Sequence, residues 1–426
     1  MKARCAAKAL AIGLLLLLPA VLRSQNVVAD WDAIAANTIV TVGGAAPASS
    51  FIFFAYVDVA VYDAVNSIEH RDRPFALRVR APRGASVDAA VITAAHDVLV
   101  HYYPLQQAAL DADEDASLAA IPDSQAKTDG MTVGQAVAAS WIDLRANDGV
   151  NAPITYVWGH GPGIWEPVPP FPPPVTPWMA YFIPFTYQSA SDFLGTIDPP
   201  PSLTSKLWAN DYNLTKEYGA LNGSLRTPKQ TEIGQFWAAH PGIQFSQALR
   251  LLIAEHHLNI AESARLVAMQ NVSLADAEVA CFNAKYHYAF WRPYTAIHDA
   301  DTDGNPDTVA DPNWEPLDTT PGHPEYPAAH GCGTEALATA LQTYFHRDRV
   351  HYQVTSSVTS TTHKFERLSD VVIEVDMARI FGGMHYRHSV LQGNVMGRAV
   401  ACHVLRTRFQ ASCFEDWDKN ERLSVQ

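Results

Sequence analysis

The stretch KYHYAFWRP, Lys285 to Pro293, sets a lysine and an arginine seven residues apart among aromatic side chains. Cations buried in such company need a negative partner, because an unpaired buried charge is costly. Two further stretches carry groups that could complete a site. GHPEYPAAHGCGTEALATALQTYF, residues 322–345, brings His330 to the start of an apolar-periodic helix, where free N–H groups and the positive dipole end favour an anion. MARIFGGMHYRH, residues 377–388, places Arg379 near a helix C-terminus, breaks that helix at Gly382 and Gly383, and sets His385 at the start of the next. Taken singly, each has a plain structural reading: Lys285 and Arg292 as snorkelling surface groups, His330 and His385 as satisfied core histidines, Arg379 as its own helix's cap. Together they make three cations and two imidazoles, with two elements at helix N-termini. A tetrahedral oxyanion requires that set: fixed positive charge, planar guanidinium forks and backbone N–H donors.

The elements that must position these groups are helices. Seven residues is nearly two helical turns, so Lys285 and Arg292 are expected on one face of a helix ending near Pro293. Apolar periodicity predicts helices over 203–219, 226–239, 243–257, 259–290, 331–346, 364–381 and 386–408. In the N-terminal half, Ser86 can cap a helix that Pro104 ends, and 50–68 and 130–146 look similar. Alternating strand patterns are scarce. Residues 156–202 hold 12 of the 28 prolines and cannot be helical throughout. Their aromatics, Trp158, Trp165, Phe171, Trp178, Tyr181, Phe182, Phe185 and Tyr187, argue for an ordered strap over the surface rather than a flexible linker. The organisation expected is therefore an N-terminal helical half (25–155), a strap (156–202), a C-terminal helical half carrying the site (203–412) and a tail (413–426).

Residues 1–24 read as a secretory leader: Lys2, Arg4 and Lys8 precede an apolar run over 9–22 that is short for spanning a membrane. No other stretch is read as long and apolar enough to span a bilayer, so the mature chain is expected to be secreted or periplasmic. Removing the leader leaves 26 basic residues against 44 acidic ones, a charge of −18. That argues against nucleic acid or an anionic membrane as partner, and makes any anion site a local concentration of positive charge. Cys281, Cys332, Cys402 and Cys413 allow three disulfide connectivities or four buried thiols. DADTDGNPD, residues 299–307, is either an acidic solvated turn or the first half of a calcium loop with Asp299, Asp301 and Asp303 as ligands; Ala310 stands where a closing glutamate would be needed.

The order K-x6-R-P, P-x-x-H, R-x5-H resembles the vanadium-dependent haloperoxidases, which share their site with type 2 phosphatidic acid phosphatases and bacterial acid phosphatases. DYNLTKEYG, ADAEVACFNAKYHYAFWRPYTAI, DGNPDTVADPNWEPL, TPGHPEYPAAHG and RIFGGMHYRH are similar to the bacterial and plant branch, and AVYDAVNSI to its N-terminal half. The resemblance implies an all-α fold of two four-helix-bundle-like halves with the site in the C-terminal one. It implies that Lys285, Arg292 and Arg379 hold vanadate oxygens, that His385 bonds the vanadium, and that His330 acts as acid and base. It further implies Lewis-acid activation of hydrogen peroxide, polarised by Lys285, for attack by a halide; the hypohalous acid formed then halogenates a small organic acceptor. Two positions depart from the family pattern. Ala328 replaces a serine whose hydroxyl would contact the oxyanion, leaving the Ala329 N–H to serve. Ser389 replaces the aspartate with which the phosphatases orient a nucleophilic imidazole. His323, seven residues before His330, inclines the reading to bromide or iodide, or merely caps its loop. The alternatives are an acid phosphatase with His385 as nucleophile, and a secreted anion-binding protein without turnover. Oligomeric state is left open.

Overall fold

The N-terminal half folds as five helices, α1 (Val27–Ala36), α2 (Pro47–Glu69), α3 (Val87–Tyr102), α4 (Gln107–Ala119) and α5 (Gln125–Arg145). This computed structural model describes residues 26–170 and 173–414; the leader, Phe171 and residues 415–426 of the tail lie outside the described residues. Side-chain caps start three of the helices: Asn26, Ser86 and Ser124 accept N–H groups of the first turn. Neither α1 nor α4 is among the helices that periodicity predicts. Only Leu110 and Leu118 are buried on α4, so its apolar stripe is too thin to read.

One expectation is corrected by α2. It is long and apolar enough to cross a membrane. Its residues from Ser49 to Ser67 are nevertheless all buried, packed against α3 and a long C-terminal helix. A helix covered on every side is apolar all round, which composition alone does not separate from a lipid-facing one.

The C-terminal half contains α6 (Lys206–Gly219), α7 (Pro228–Phe236), α8 (Pro241–Glu255), α9 (Ile260–Tyr288), α10 (Pro293–His298), α11 (Ala329–Phe345), α12 (Leu368–Phe381) and α13 (Arg387–Arg408). The 29-residue α9 is the spine; it packs on α2, α11 and α13, so both halves share one continuous core. Helices α11 and α13 approach until their backbones touch. A Cβ at Gly397 would lie 2.1 Å from the Cys332 carbonyl oxygen. A short hairpin, β1 (Tyr352–Thr355) with β2 (Thr362–Phe365), pairs Tyr352 with Phe365 and Thr355 with Thr362. It occupies the start of the predicted 364–381 helix, which begins instead at Leu368. Four-residue strands are too short for their alternation to stand out.

The described part of the proline-rich strap is partly internal. Trp165, Trp178, Phe182 and Phe185 are buried in it. It is pinned to α9 by Asp276, whose carboxylate accepts the Phe185 N–H (2.7 Å) and the Thr186 hydroxyl (2.6 Å). The Tyr187 hydroxyl and the Asn283 amide add bonds between strap and α9.

Cys402 and Cys413 form a disulfide, while Cys281 and Cys332 are buried free thiols. The calcium-loop reading of Asp299, Asp301 and Asp303 is not supported. Asp303 turns inward, where its carboxylate accepts the Trp208 indole N–H (2.8 Å), the Asn305 N–H (2.7 Å) and the Thr308 hydroxyl, while Asp299 and Asp301 stay at the surface. No group of three or more potential metal ligands occurs among the described residues.

Candidate active site

Three chain turns build the site. The first is the end of α9. Ala289 adopts a left-handed conformation (φ 48°) and stops the helix at Tyr288. Lys285 is thus in the last helical turn, while Arg292 lies beyond it as the residue before Pro293, the first residue of α10. The two cations do not leave one helical face, as spacing had suggested; the turn folds Arg292 back. The second is the 322–330 loop leading into α11, where His330 is the second helical residue. The N–H groups of this first turn have no carbonyl behind them within the helix. The third is the α12–α13 link. Gly382 caps α12 and Gly383 takes φ 74°; a side chain at Gly383 would collide with the Gly219 carbonyl oxygen, 2.6 Å from an added Cβ. That close approach aims Arg379 and His385 inward.

These turns converge on one cavity of about 300 Å³, lined by His323, Ala329, His330, Arg379 and His385 together with aromatic residues. Lys285 and Arg292 are fully buried directly behind the lining. Arg292 bridges two imidazoles. Its NH1 lies 3.2 Å from His385 Nε2 and its NH2 3.0 Å from His323 Nδ1, and it also donates to the backbone carbonyls of Met384 and His323. A guanidinium can only donate, so His385 Nε2 faces Arg292 as a lone-pair nitrogen, whereas His323 Nδ1 lies between the Arg292 guanidinium and the Pro324 carbonyl oxygen (3.2 Å), which call for opposite tautomers. Arg379 donates to the Trp237 carbonyl (3.2 Å) and meets Met384 Sδ (2.9 Å); its buried Nε–H has no partner among the described residues. Lys285 differs from expectation. Its ammonium donates to the carbonyls of Pro324, Glu325 and Pro327, which commits all three of its protons. It supplies charge to the site rather than a free N–H.

The negative partner sought for these cations is Glu325. It is fully buried, and its Oε1 accepts from His385 Nδ1 (2.8 Å) and from the Tyr386 N–H (3.2 Å). The two ends of His385 therefore agree on one tautomer, proton on Nδ1 and lone pair on Nε2. Burial raises the Glu325 carboxyl to about 7, against the pull of Lys285 and Arg292. Glu325 sits inside the quoted PEYPAAH stretch, yet nothing in the sequence assigns it a role. A carboxylate in an aromatic, proline-flanked loop was the available signal. The carboxylate that holds His385 thus comes from residue 325 and not from 389, where the Ser389 carbonyl accepts the Ala328 N–H.

Burial and the nearby cations hold His323, His330 and His385 well below the usual imidazole range, so all three are neutral. Burial also lowers Lys285 to about 8 and Arg292 and Arg379 each to about 10, leaving all three charged at neutral pH. The outcome is a buried cationic centre with neutral imidazoles at its rim, suited to an anion.

Residues 265–412 match the family model described as VCPO second helical-bundle domain. A curated relative, the vanadium chloroperoxidase of Curvularia inaequalis, is 28% identical across 43% of this chain and 36% of its own length. Residues 265–412 thus resemble the second helical-bundle domain of the vanadium haloperoxidases. The match thus spans about a third of that curated haloperoxidase. Two solved haloperoxidase structures share the fold over nearly the whole chain. One is described as the first bacterial vanadium-dependent iodoperoxidase, with a TM-score of 0.77 at 18% identity, covering 89% of this chain and 96% of that one. The other is a holo-type bacterial vanadium-dependent chloroperoxidase, with a TM-score of 0.72 at 14% identity and the same coverage. The haloperoxidase-type all-α architecture is common to all three chains.

Proposed function

We propose that this chain is a vanadate-dependent haloperoxidase that oxidises halide with hydrogen peroxide to hypohalous acid. The observation that carries the reading is the convergence of Arg292, Arg379, His330 and His385 at one cavity above the Lys285 charge. The donor set suits vanadate. Arg379 has an uncommitted buried N–H, the first turn of α11 offers Ala329 and its neighbours, and His385 has a neutral Nε2 whose lone pair, now accepting from Arg292 NH1, would be released to the vanadium when Arg292 turns to an oxygen. When bound there, vanadate supplies Lewis-acid activation of peroxide. Arg292 and Arg379 would hold its oxygens and His385 Nε2 would ligate it. Glu325 keeps the His385 proton on Nδ1. His330, neutral and at the cavity rim, accepts the proton that peroxide gives up and later returns it. Lys285 lends positive charge from behind the 324–327 turn.

His323 bears on the halide. It lines the cavity wall beside Arg292, and bromide or iodide is the halide proposed. The acceptor is a small organic molecule, and export through the leader pattern of residues 1–24 belongs to the same proposal.

The test loads metal-free protein with vanadate and supplies peroxide, bromide or iodide and a dye acceptor; halogenated dye is expected. In parallel, p-nitrophenyl phosphate is offered without vanadate. A second reading, acid phosphatase, gains from one observation: Glu325 restores the carboxylate-held imidazole that a nucleophilic His385 would need. Phosphate release without halogenation would establish it. Silence in both assays would favour an anion-binding protein, with Ala328 marking the missing hydroxyl.

A further inference from the structure

The cavity over the cage is polar at one end and aromatic elsewhere. Phe51 of α2, Phe245 of α8 and Phe282 of α9 line it, with Pro47 and Val175. Against this wall stands a second carboxyl, Glu278, two turns before Lys285 on α9. It is 3% exposed, and its Oε2 has no hydrogen-bond partner among the described residues. One turn beyond His330, Gly333 leaves room for it; a Cβ there would lie 2.6 Å from Glu278 Oε1. Beside it Thr334, 1% exposed, has a hydroxyl equally without a partner. Buried polar groups are rarely left unsatisfied, and two such groups lining one cavity indicate a ligand that completes them.

We propose that Glu278 and Thr334 anchor an acceptor subsite for a neutral aromatic molecule bearing one hydrogen-bonding oxygen, of the phenol class. This deepens the haloperoxidase reading and rests on it for the word acceptor. The size fits: an apolar cavity of about 150 Å³ accommodates benzene, and this one holds about 300 Å³. The chemistry fits as well. Burial pushes the Glu278 carboxyl well up, so it is neutral and can both donate and accept. A neutral acid excludes no uncharged ring by repulsion, and the phenylalanine walls stack on one. The ring then lies in the same cavity as His330 and His323.

The probe is 4-fluorophenol against fluorobenzene, followed by 19F NMR on the full chain without vanadate at about pH 7, where the phenol is neutral. The expected result is saturable binding with a preference for the phenol of about tenfold, one buried hydrogen bond. Glu278→Leu should erase that preference while fluorobenzene still binds, and Thr334→Val should reduce it. Equal binding of the two probes by the parent protein, no saturable binding of either, or a preference surviving in Glu278→Leu would overturn the subsite. The comparison within the parent protein stands even if a variant fails to fold. A chain that prefers the phenol yet oxidises no halide keeps the subsite and loses the haloperoxidase reading. Halide oxidation without phenol preference does the reverse.

Discussion

Removing Glu325 separates orientation from charge at the cage. Its Oε1 accepts the His385 Nδ1 proton at 2.8 Å and the Tyr386 N–H at 3.2 Å, both fully buried. Two effects oppose each other when it is replaced. Loss of a negative charge favours any bound anion, by about 3 kcal/mol for a unit charge roughly 6 Å away at an effective dielectric of about 20. Loss of the acceptor frees the imidazole to rotate and to place its proton on Nε2. Glu325→Gln and Glu325→Ala remove the same charge, but glutamine keeps a carbonyl oxygen where Oε1 stood. The ratio between the two variants therefore isolates orientation. Groups that orient a metal-bound histidine are worth about 10–100-fold in affinity. Isothermal titration with orthovanadate should show the alanine variant weaker than the glutamine variant by that factor. Both variants should be less stable than the parent, because Lys285 and Arg292 keep their buried charge without a negative partner, and the alanine variant further, because the His385 and Tyr386 N–H groups lose their acceptor. If the two variants bind vanadate equally, Glu325 does not position His385 and the tautomer assignment fails.

Three more outcomes follow from the same geometry. His385→Ala should abolish vanadate retention through gel filtration; a variant holding vanadate as tightly as the parent would remove His385 as the ligand. Asp276 is raised by burial from 3.8 to about 6, so its contribution is fully present below pH 4 and is lost as pH rises through 6. Asp276→Asn should therefore lose about 3 kcal/mol less stability than the parent between pH 4 and 6, measured by urea midpoints, and parallel curves would contradict the shift. Gly397→Ala forces a Cβ to 2.1 Å from the Cys332 carbonyl oxygen, so the α11–α13 contact must open. A loss of about 1–3 kcal/mol is expected from thermal unfolding, against no change if the helices part freely.

Much of the fold was legible because apolar periodicity survives wherever one helix face is buried. The predicted 386–408 helix is observed as Arg387–Arg408, and 203–219 as Lys206–Gly219. It fails at one extreme, and at the other it finds the helix, 50–68 observed as Pro47–Glu69, without telling a buried helix from a spanning one. The stripe on α4 is almost absent, and the all-round burial of α2 mimics a membrane span. At the site, residue types located the cations and imidazoles, since Lys, Arg and His among aromatics are unusual enough to notice. Sequence spacing could not show that Ala289 ends α9 before Arg292, nor that Lys285 would satisfy itself on three carbonyls. Both depend on local backbone conformations. Glu325 and Glu278 were hidden for a related reason: a lone carboxyl has no spacing partner, and its meaning arises only from what the fold lays beside it.

The residues matched by the haloperoxidase family model begin at 265, and the charged cage lies wholly within them. The ceiling of the cavity does not: Pro47 and Phe51 come from the other half, and Val175 from the strap. Exchanging those three contacts alters which molecules fit beneath the ceiling while every charged group below keeps its place. Part of the choice of guest is thereby written outside the stretch that holds the charged groups, while Glu278, Phe282 and Thr334 keep the rest of it inside.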